Sequence, residues 1–267
     1  MNQLEYGIYT DLPSDEYHAD RKFLSSSALK VLLENPELFY RTYIKGEGQK
    51  KESAAFDVGT AIHLKILEPE KFDKEVAFYS GVKRGKIWEE FKSQNEGKLF
   101  LGDIAEMQIH RMDESIKKSS GIDFVTGGQS EVTVLVNLDG FDVKIRIDHL
   151  KIEKAMSDLK SCSGVITESS FQKTVERFQY DLSAALYVDA YYKATGIMLP
   201  FIWVASSKDF DDTKTFRATP EILEQGRQKY KKAFQLFRQY QSSNWNFSNT
   251  VIDLYPSKSD EFEFEAA

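Results

Sequence analysis

Residues 146–160 read RIDHLKIEKAMSDLK, and they set Asp148 and Asp158 ten positions apart with Lys160 two places after the second. Carboxylates are poor strand formers and repel one another across a sheet. The stretch nevertheless has the pattern of a β-hairpin, with a turn near Glu153 and Lys154. Something other than strand propensity has put those acids there.

The upstream sequence fixes where they fall. Asp139-Gly140 is a strong signal for a two-residue type I′ turn, which needs positive φ at both positions. If Leu138 pairs with Phe141, then Val136 faces Val143, Val134 faces Ile145 and Val132 faces Ile147, making a continuous apolar face. On the other face the same register sets Glu131 opposite Asp148. A second two-residue turn would pair Ile152 with Ala155 and bring Asp158 opposite His149. The apolar phase changes between Ile147 and Leu150, which predicts a β-bulge at Asp148-His149 that swings Asp148 towards Asp158. Lys160 lies on the same face as Asp158.

Three carboxylates and one ammonium then share a small area, an arrangement that a cation would relieve. Hard divalent ions such as Mg²⁺ take oxygen ligands and neutralise phosphate charge, so the predicted chemistry is phosphodiester hydrolysis. Acid-x-lysine also occurs at Glu96-Gly97-Lys98, Asp142-Val143-Lys144 and Asp212-Thr213-Lys214. As a tripeptide it fits a solvated strand face equally well. Registration with Asp148 and Glu131 is what distinguishes residues 158–160.

Around this centre the chain reads as helices flanking a mixed sheet, an α/β or α+β domain. Residues 1–24 look like an irregular lead-in. A serine-capped helix begins at LSSSALKVLL and is broken by Pro36. GEGQKKES is a loop, and AAFDVGTAIHLKILEPE is a helix stopped near Pro69. A strand near EVAFYS leads to the basic loop GVKRGK, and residues 86–118 give one or two amphipathic helices. SSGIDFVTGGQ returns the chain to the sheet. Beyond the hairpins come one long helix over 167–195, strands at MLPFIWVAS and KTFRAT, and a last helix from Pro220 to about Gln241. Neither repeat nor linker is evident, so residues 1–267 read as one domain.

Composition is ordinary for a globular protein, with 41% hydrophobic and 29% charged residues. The one cysteine, Cys162, excludes an internal disulfide and a cysteine-ligated zinc or iron–sulfur site. The net charge of −7 opposes phosphate binding at first sight, but four of the acids lie in the last eight residues, DEFEFEAA. Residues 256–267 therefore read as an acidic, frayed tail on a mildly acidic body. The first residues have no basic start or apolar run, and no stretch approaches the roughly 20 apolar residues of a membrane helix, so a soluble protein without a membrane partner is expected.

Asp148, Asp158-Leu159-Lys160 and the upstream Glu131 resemble the site of the PD-(D/E)XK nuclease superfamily, with its restriction-endonuclease-like core. LSSSALKVLLENPELFY is similar to the opening helix of the RecB-type exonuclease branch, and GTAIHLKILEP to its G-x-x-x-H helix, with His63 at the histidine. YDLSAALY lies where that branch carries Q-x-x-x-Y. Over about residues 7–205, order and spacing most resemble the exonuclease VIII (RecE)-like phage recombination exonucleases and, more distantly, lambda exonuclease. The resemblance implies a Mg²⁺-dependent exonuclease that degrades linear duplex DNA from the 5′ end and leaves 3′ single strands for an annealing protein. It further implies a ring, a trimer or tetramer, in the cytoplasm of a bacterial or phage-infected cell. A catalytically silent DNA-binding or assembly module, or a structure-specific endonuclease, would share the same fold.

On this resemblance Asp148 and Asp158 are metal ligands, joined by the main-chain carbonyl of Leu159 and by Glu131 as an inner or outer ligand. Lys160 orients or activates the attacking water and stabilises the transition state. His63, which alone reads as a core histidine, becomes a metal ligand, and its imidazole favours Mn²⁺ as a substitute for Mg²⁺. Lys83, Arg84 and Lys86 form a candidate DNA-binding loop, and Ser25 and Ser27 either cap their helix or receive a 5′ phosphate. Where the branch carries glutamine this chain has Ser183, four residues before Tyr187. Gln179, one helical turn earlier, could reach the same groove, and Tyr187 could pack under the site.

Overall fold

The structure is a computed structural model that describes residues 4–47 and 54–247. In chain order it runs β1 (Gly7–Tyr9), α1 (Ser14–Ala19), α2 (Ser26–Glu34), α3 (Pro36–Phe39) and a π-helical turn (Tyr40–Ile44). Next come α4 (Ala54–Leu67), α5 (Pro69–Glu75), β2 (Val76–Phe78), α6 (Lys86–Gln94), β3 (Leu99–Leu101), α7 (Asp103–Lys118) and α8 (Ile122–Val125). The remainder is β4 (Gln129–Leu138), β5 (Phe141–Lys151), β6 (Ala155–Cys162), α9 (Glu168–Arg177), α10 (Tyr180–Thr195), β7 (Phe201–Ser207), β8 (Thr213–Arg217) and α11 (Pro220–Ser242).

Six strands form one mixed sheet in the order β1, β4, β5, β6, β7, β8, parallel only between β6 and β7. The first hairpin forms as read. Asp139 and Gly140 have φ of 53° and 85°, and the pairs Leu138–Phe141, Val136–Val143, Val134–Ile145 and Val132–Ile147 are all present. Those valines and isoleucines face Leu29 and Leu32 of α2, Leu186 of α10 and Phe234 of α11. Leu159, Ile202 and Val204 face the other way, against Ile62 of α4 and Ile109 and Met112 of α7. Helices thus cover both faces, and each fully buried aliphatic side chain contributes roughly 1.5–3 kcal/mol.

Several expectations are corrected. The stretch read as an irregular lead-in contains an edge strand and a helix, held by two cations of β5. Lys144 donates to the carbonyls of Tyr17 (2.6 Å) and Asp20 (2.5 Å), and Arg146 to that of Leu12 (2.9 Å). Elements this short carry almost no periodic signal. The second turn has three residues, Ile152 to Lys154, so Lys151 pairs with Ala155 and His149 with Ser157. β5 keeps one register with β4 on both sides of Asp148, at Ile147 and at His149, so the bulge expected at Asp148-His149 does not form. The long helix over 167–195 is broken at Gln179, which is left-handed at φ 51°. A parallel two-stranded sheet of β2 and β3 separates α6 from α7. The acidic tail and residues 48–53 of the GEGQKKES loop lie outside the described residues.

Candidate metal centre

The three-residue turn brings the aspartates together without any bulge. The ladder ends with His149 opposite Ser157, and its register carried one position further sets Asp148 opposite Asp158 on the adjacent strand. Their carboxyl groups are close enough for each to act strongly on the other. Asp148 Oδ2 also accepts the Leu159 N–H at 3.0 Å, and the Lys160 ammonium donates to Asp158 Oδ1. From the facing helix α4, His63 Nε2 lies 2.6 Å from the Leu159 carbonyl oxygen and Nδ1 lies 3.6 Å from Asp148 Oδ2. Glu131 arrives from β4 through a local break in pairing, since its φ of 56° takes it out of the ladder between Ser130 and Val132. A non-glycine residue left-handed inside a strand is a strained position of the kind that gathers at functional sites. Here it carries a carboxylate to the cluster: His63, Glu131 and Asp148 each offer a ligand atom within 4.8 Å of the others.

The cluster is close to buried yet open on one side, with side-chain exposures of 30% for His63, 17% for Asp148, 13% for Asp158 and 22% for Lys160. Burial and then the charge of Asp158 push the Asp148 carboxyl well above its ordinary range. Burial pushes Asp158 the same way, but the Lys160 ammonium and the hydrogen bond from Asp148 outweigh it, and its net direction is down. Lys160 loses by burial and gains more from Asp158 and Asp148, so it is held firmly charged. Burial and Lys160 lower His63, leaving a neutral imidazole at pH 7. Burial pushes Glu131 up to about 7, against the pull of Arg146.

One ammonium among three carboxylates leaves an excess of negative charge that a bound cation, or a proton, would relieve. A divalent ion would supply that positive charge. The donor set is carboxylate oxygens, the Leu159 carbonyl and a neutral imidazole, which fits Mg²⁺ or Mn²⁺.

Other expected residues are placed less directly. Ser25 caps α2 by accepting the Ala28 N–H at 3.2 Å, and Ser27 is exposed. It is the buried serine between them, Ser26, that lies near the Tyr187 hydroxyl. Tyr187 sits under the cluster, near Asp148 and Asp158, with its ring edge-on to Phe201 at 6.0 Å. Gln179 stands outside α10 at its N-terminus, so it does not share a helical turn with Ser183, correcting the expected continuity. Lys83, Arg84 and Lys86 are exposed beside the β2–β3 sheet, and Lys83 donates to the Phe100 carbonyl at 2.9 Å. Among the described residues, no hydrogen bond or ion pair joins those three to the acid cluster.

Two further residues near the cluster, Lys30 and Arg146, are not among those the sequence singles out. Arg146 bonds Thr133 Oγ1 at 3.0 Å, lies 4.2 Å over the Tyr17 ring, and opposes the protonation of Glu131. Lys30 lies beside Tyr180 and feels both Lys160 and Asp158. The available signal was its spacing four residues after Ser26, which sets both on one helix face.

No curated protein matches this chain. Among solved structures, a protein from Eubacterium rectale named "Putative exonuclease" is similar, with a TM-score of 0.66 at 18% identity over 92% of this chain and 96% of that one. At that identity the likeness concerns the fold. Residues 25–246 match the family described as "PDDEXK-like domain of unknown function (DUF3799)". With that match over most of its length, and with an aspartate pair and lysine on adjoining strands of the restriction-endonuclease-like sheet, the chain belongs to this PDDEXK-like family of the PD-(D/E)XK nuclease superfamily.

Proposed function

We propose that the protein is a divalent-metal-dependent exonuclease that hydrolyses phosphodiester bonds of linear duplex DNA from the 5′ end, leaving 3′ single strands for recombination. The observation that carries this reading is the charge pattern of the adjoining strands. Asp148 and Asp158 stand together on adjoining strands, Asp148 held by the Leu159 N–H and Asp158 by the Lys160 ammonium, with His63 and Glu131 offering ligand atoms within 4.8 Å of Asp148.

Asp148, Asp158, the Leu159 carbonyl, His63 and Glu131 would hold the ion. Bound there, Mg²⁺ would neutralise phosphate charge and make a water acidic enough to attack. Lys160, kept protonated, serves as a hydrogen-bond donor to the attacking water or to the phosphate oxygens, where charge builds in the transition state. It is too strongly paired to act as a base. Tyr187 and Ser26 brace the floor of the site. Ser25, Ser27, Lys83, Arg84, Lys86 and Gln179 are the further residues we assign to DNA. The name of the solved neighbour and the exonuclease-like opening helix favour attack at ends over internal cleavage. The partners of this reading are duplex ends, a ring of three or four copies and a single-strand annealing protein, within the cytoplasm.

The test is digestion of linear and covalently closed duplex DNA with Mg²⁺ and with chelator. Loss of linear DNA from its 5′ ends, intact circles and no reaction in chelator are expected. Cleaved circles would overturn the exonuclease assignment. An inert protein on both substrates would overturn the nuclease reading in favour of a DNA-binding module.

A further inference from the structure

The acid cluster has a second ammonium close by whose neighbouring acids are all engaged elsewhere. Lys30 Nζ lies 5.4 Å from the centroid of the Tyr180 ring, and Lys160 Nζ lies 5.0 Å from the same centroid. Lys30 is half-buried and, among the described residues, makes no ion pair and no side-chain hydrogen bond. The charged groups facing it are Lys160 and Asp158 from β6, Asp181 from α10 and Lys229 from α11. Asp158 is taken by Lys160, and Asp181 is taken by Lys229 at 2.5 Å. Lys30 is therefore the cation left over once its neighbouring acids are matched. An ammonium withdrawn from water next to another ammonium is unfavourable by itself, and anionic groups brought to the two would relieve it.

We infer that Lys30 and Lys160, set around the Tyr180 ring, form a phosphate-binding pair in which Lys30 holds the DNA backbone phosphate next to the one being hydrolysed. The assignment deepens the nuclease reading and rests on it for the identity of the substrate. Lys160 is tied to the metal-binding carboxylates, so it takes the reacting phosphate, and Lys30, which contacts none of them, takes the neighbour. The aromatic ring that both approach helps to hold the two ammonium groups in place through cation–π attraction, which uses none of their N–H donors. Burial and the charge of Lys160 lower Lys30 to about 8, so it is cationic at neutral pH and loses its charge in mild alkali.

The test compares wild type, Lys30→Met and Lys30→Arg in binding a short labelled duplex across a salt series, with Ca²⁺ in place of Mg²⁺ to fill the carboxylate site. For the Met variant we expect Kd to rise about ten- to hundredfold, the loss of one hydrogen bond to a charged group. The slope of log affinity against log salt should fall by about 1, the loss of one phosphate contact. Lys30→Arg should keep the slope. The thermal midpoint of Lys30→Met should equal or exceed that of wild type, because an unpaired cation has been removed; a lower midpoint would make Lys30 a structural lysine and overturn the inference. Unchanged Kd and slope in Lys30→Met, with the wild type degrading DNA in Mg²⁺, overturn the Lys30 assignment and spare the nuclease reading. A wild type without turnover overturns that reading, and the binding comparison still decides Lys30. A wild type that does not bind DNA overturns both.

Discussion

Replacing Glu131 with glycine should make the metal-free protein more stable and the enzyme worse. Glu131 is left-handed at φ 56° inside β4. That conformation costs a residue with a Cβ about 1–2 kcal/mol. Glycine avoids the strain, although its greater freedom in the unfolded chain takes back roughly 0.5–1 kcal/mol. Burial adds a second cost by pushing the carboxyl from 4.5 up to about 7. A displacement of that size is worth roughly 3 kcal/mol, of which about half survives for a group partly open to water. Between pH 4.5 and 7 the folded protein keeps a proton that the unfolded chain has lost, so wild-type stability falls as pH rises through that window. The glycine variant lacks this loss. In chelator its advantage should therefore be small near pH 4.5 and reach about 1.5–2 kcal/mol by pH 7.5, or roughly 3–8 °C in melting temperature. Added Mg²⁺ should reverse the order, because ligand at a hundred times Kd stabilises the folded wild type by about 2.7 kcal/mol and the variant by less. Calorimetric melts at the two pH values, with and without Mg²⁺, measure all of this. A variant that melts lower than wild type in chelator at pH 7.5, or an equal gain from Mg²⁺ in both proteins, would refute the reasoning.

Asp158→Asn preserves the shape of the site but removes the charge that balances Lys160. Turnover on linear DNA should fall at least about a hundredfold with the far-ultraviolet spectrum unchanged, and near-normal turnover would remove Asp158 from the site. At the seam of α10 and α11, a Cβ on Gly226 would overlap the Asp181 carbonyl, which belongs to backbone and cannot step aside. Gly226→Ala should lose about 3 kcal/mol in urea unfolding, and a change under about 1 kcal/mol would show that the helices separate easily.

The first hairpin was fully legible because Asp139-Gly140 admits one turn type, and the turn dictates every pair up to Val132 and Ile147. The second was not, because Ile152-Glu153-Lys154 contains no glycine or asparagine to give away its length. One extra turn residue shifts the register, and that shift is what places Asp148 opposite Asp158. From the sequence, the same meeting of carboxylates is expected through a bulge on β5, whereas the irregular residue is Glu131 on β4. An acidic side chain gives no local sign that its backbone will be left-handed. Gln179 misled for the same reason: a non-glycine left-handed residue breaks the helix in a stretch whose apolar pattern runs on. Lys30 was hidden differently. In SSSALKVLL it is an ordinary helical lysine, and it acquires meaning only when α2 docks beside Tyr180 of α10. Spacing along the chain reveals faces and turns, while contacts between distant elements come from the packing.

The central claim is that the carboxylates of β4, β5 and β6 come together to hold a divalent ion. Anomalous scattering from a crystal soaked in Mn²⁺ tests it directly. A peak within bonding distance of Asp148, Asp158, His63 and the Leu159 carbonyl is predicted, and it should vanish in Asp158→Asn crystals treated the same way. A wild-type crystal with no peak there, and Asp148 and Asp158 in contact with no ion, would contradict the account.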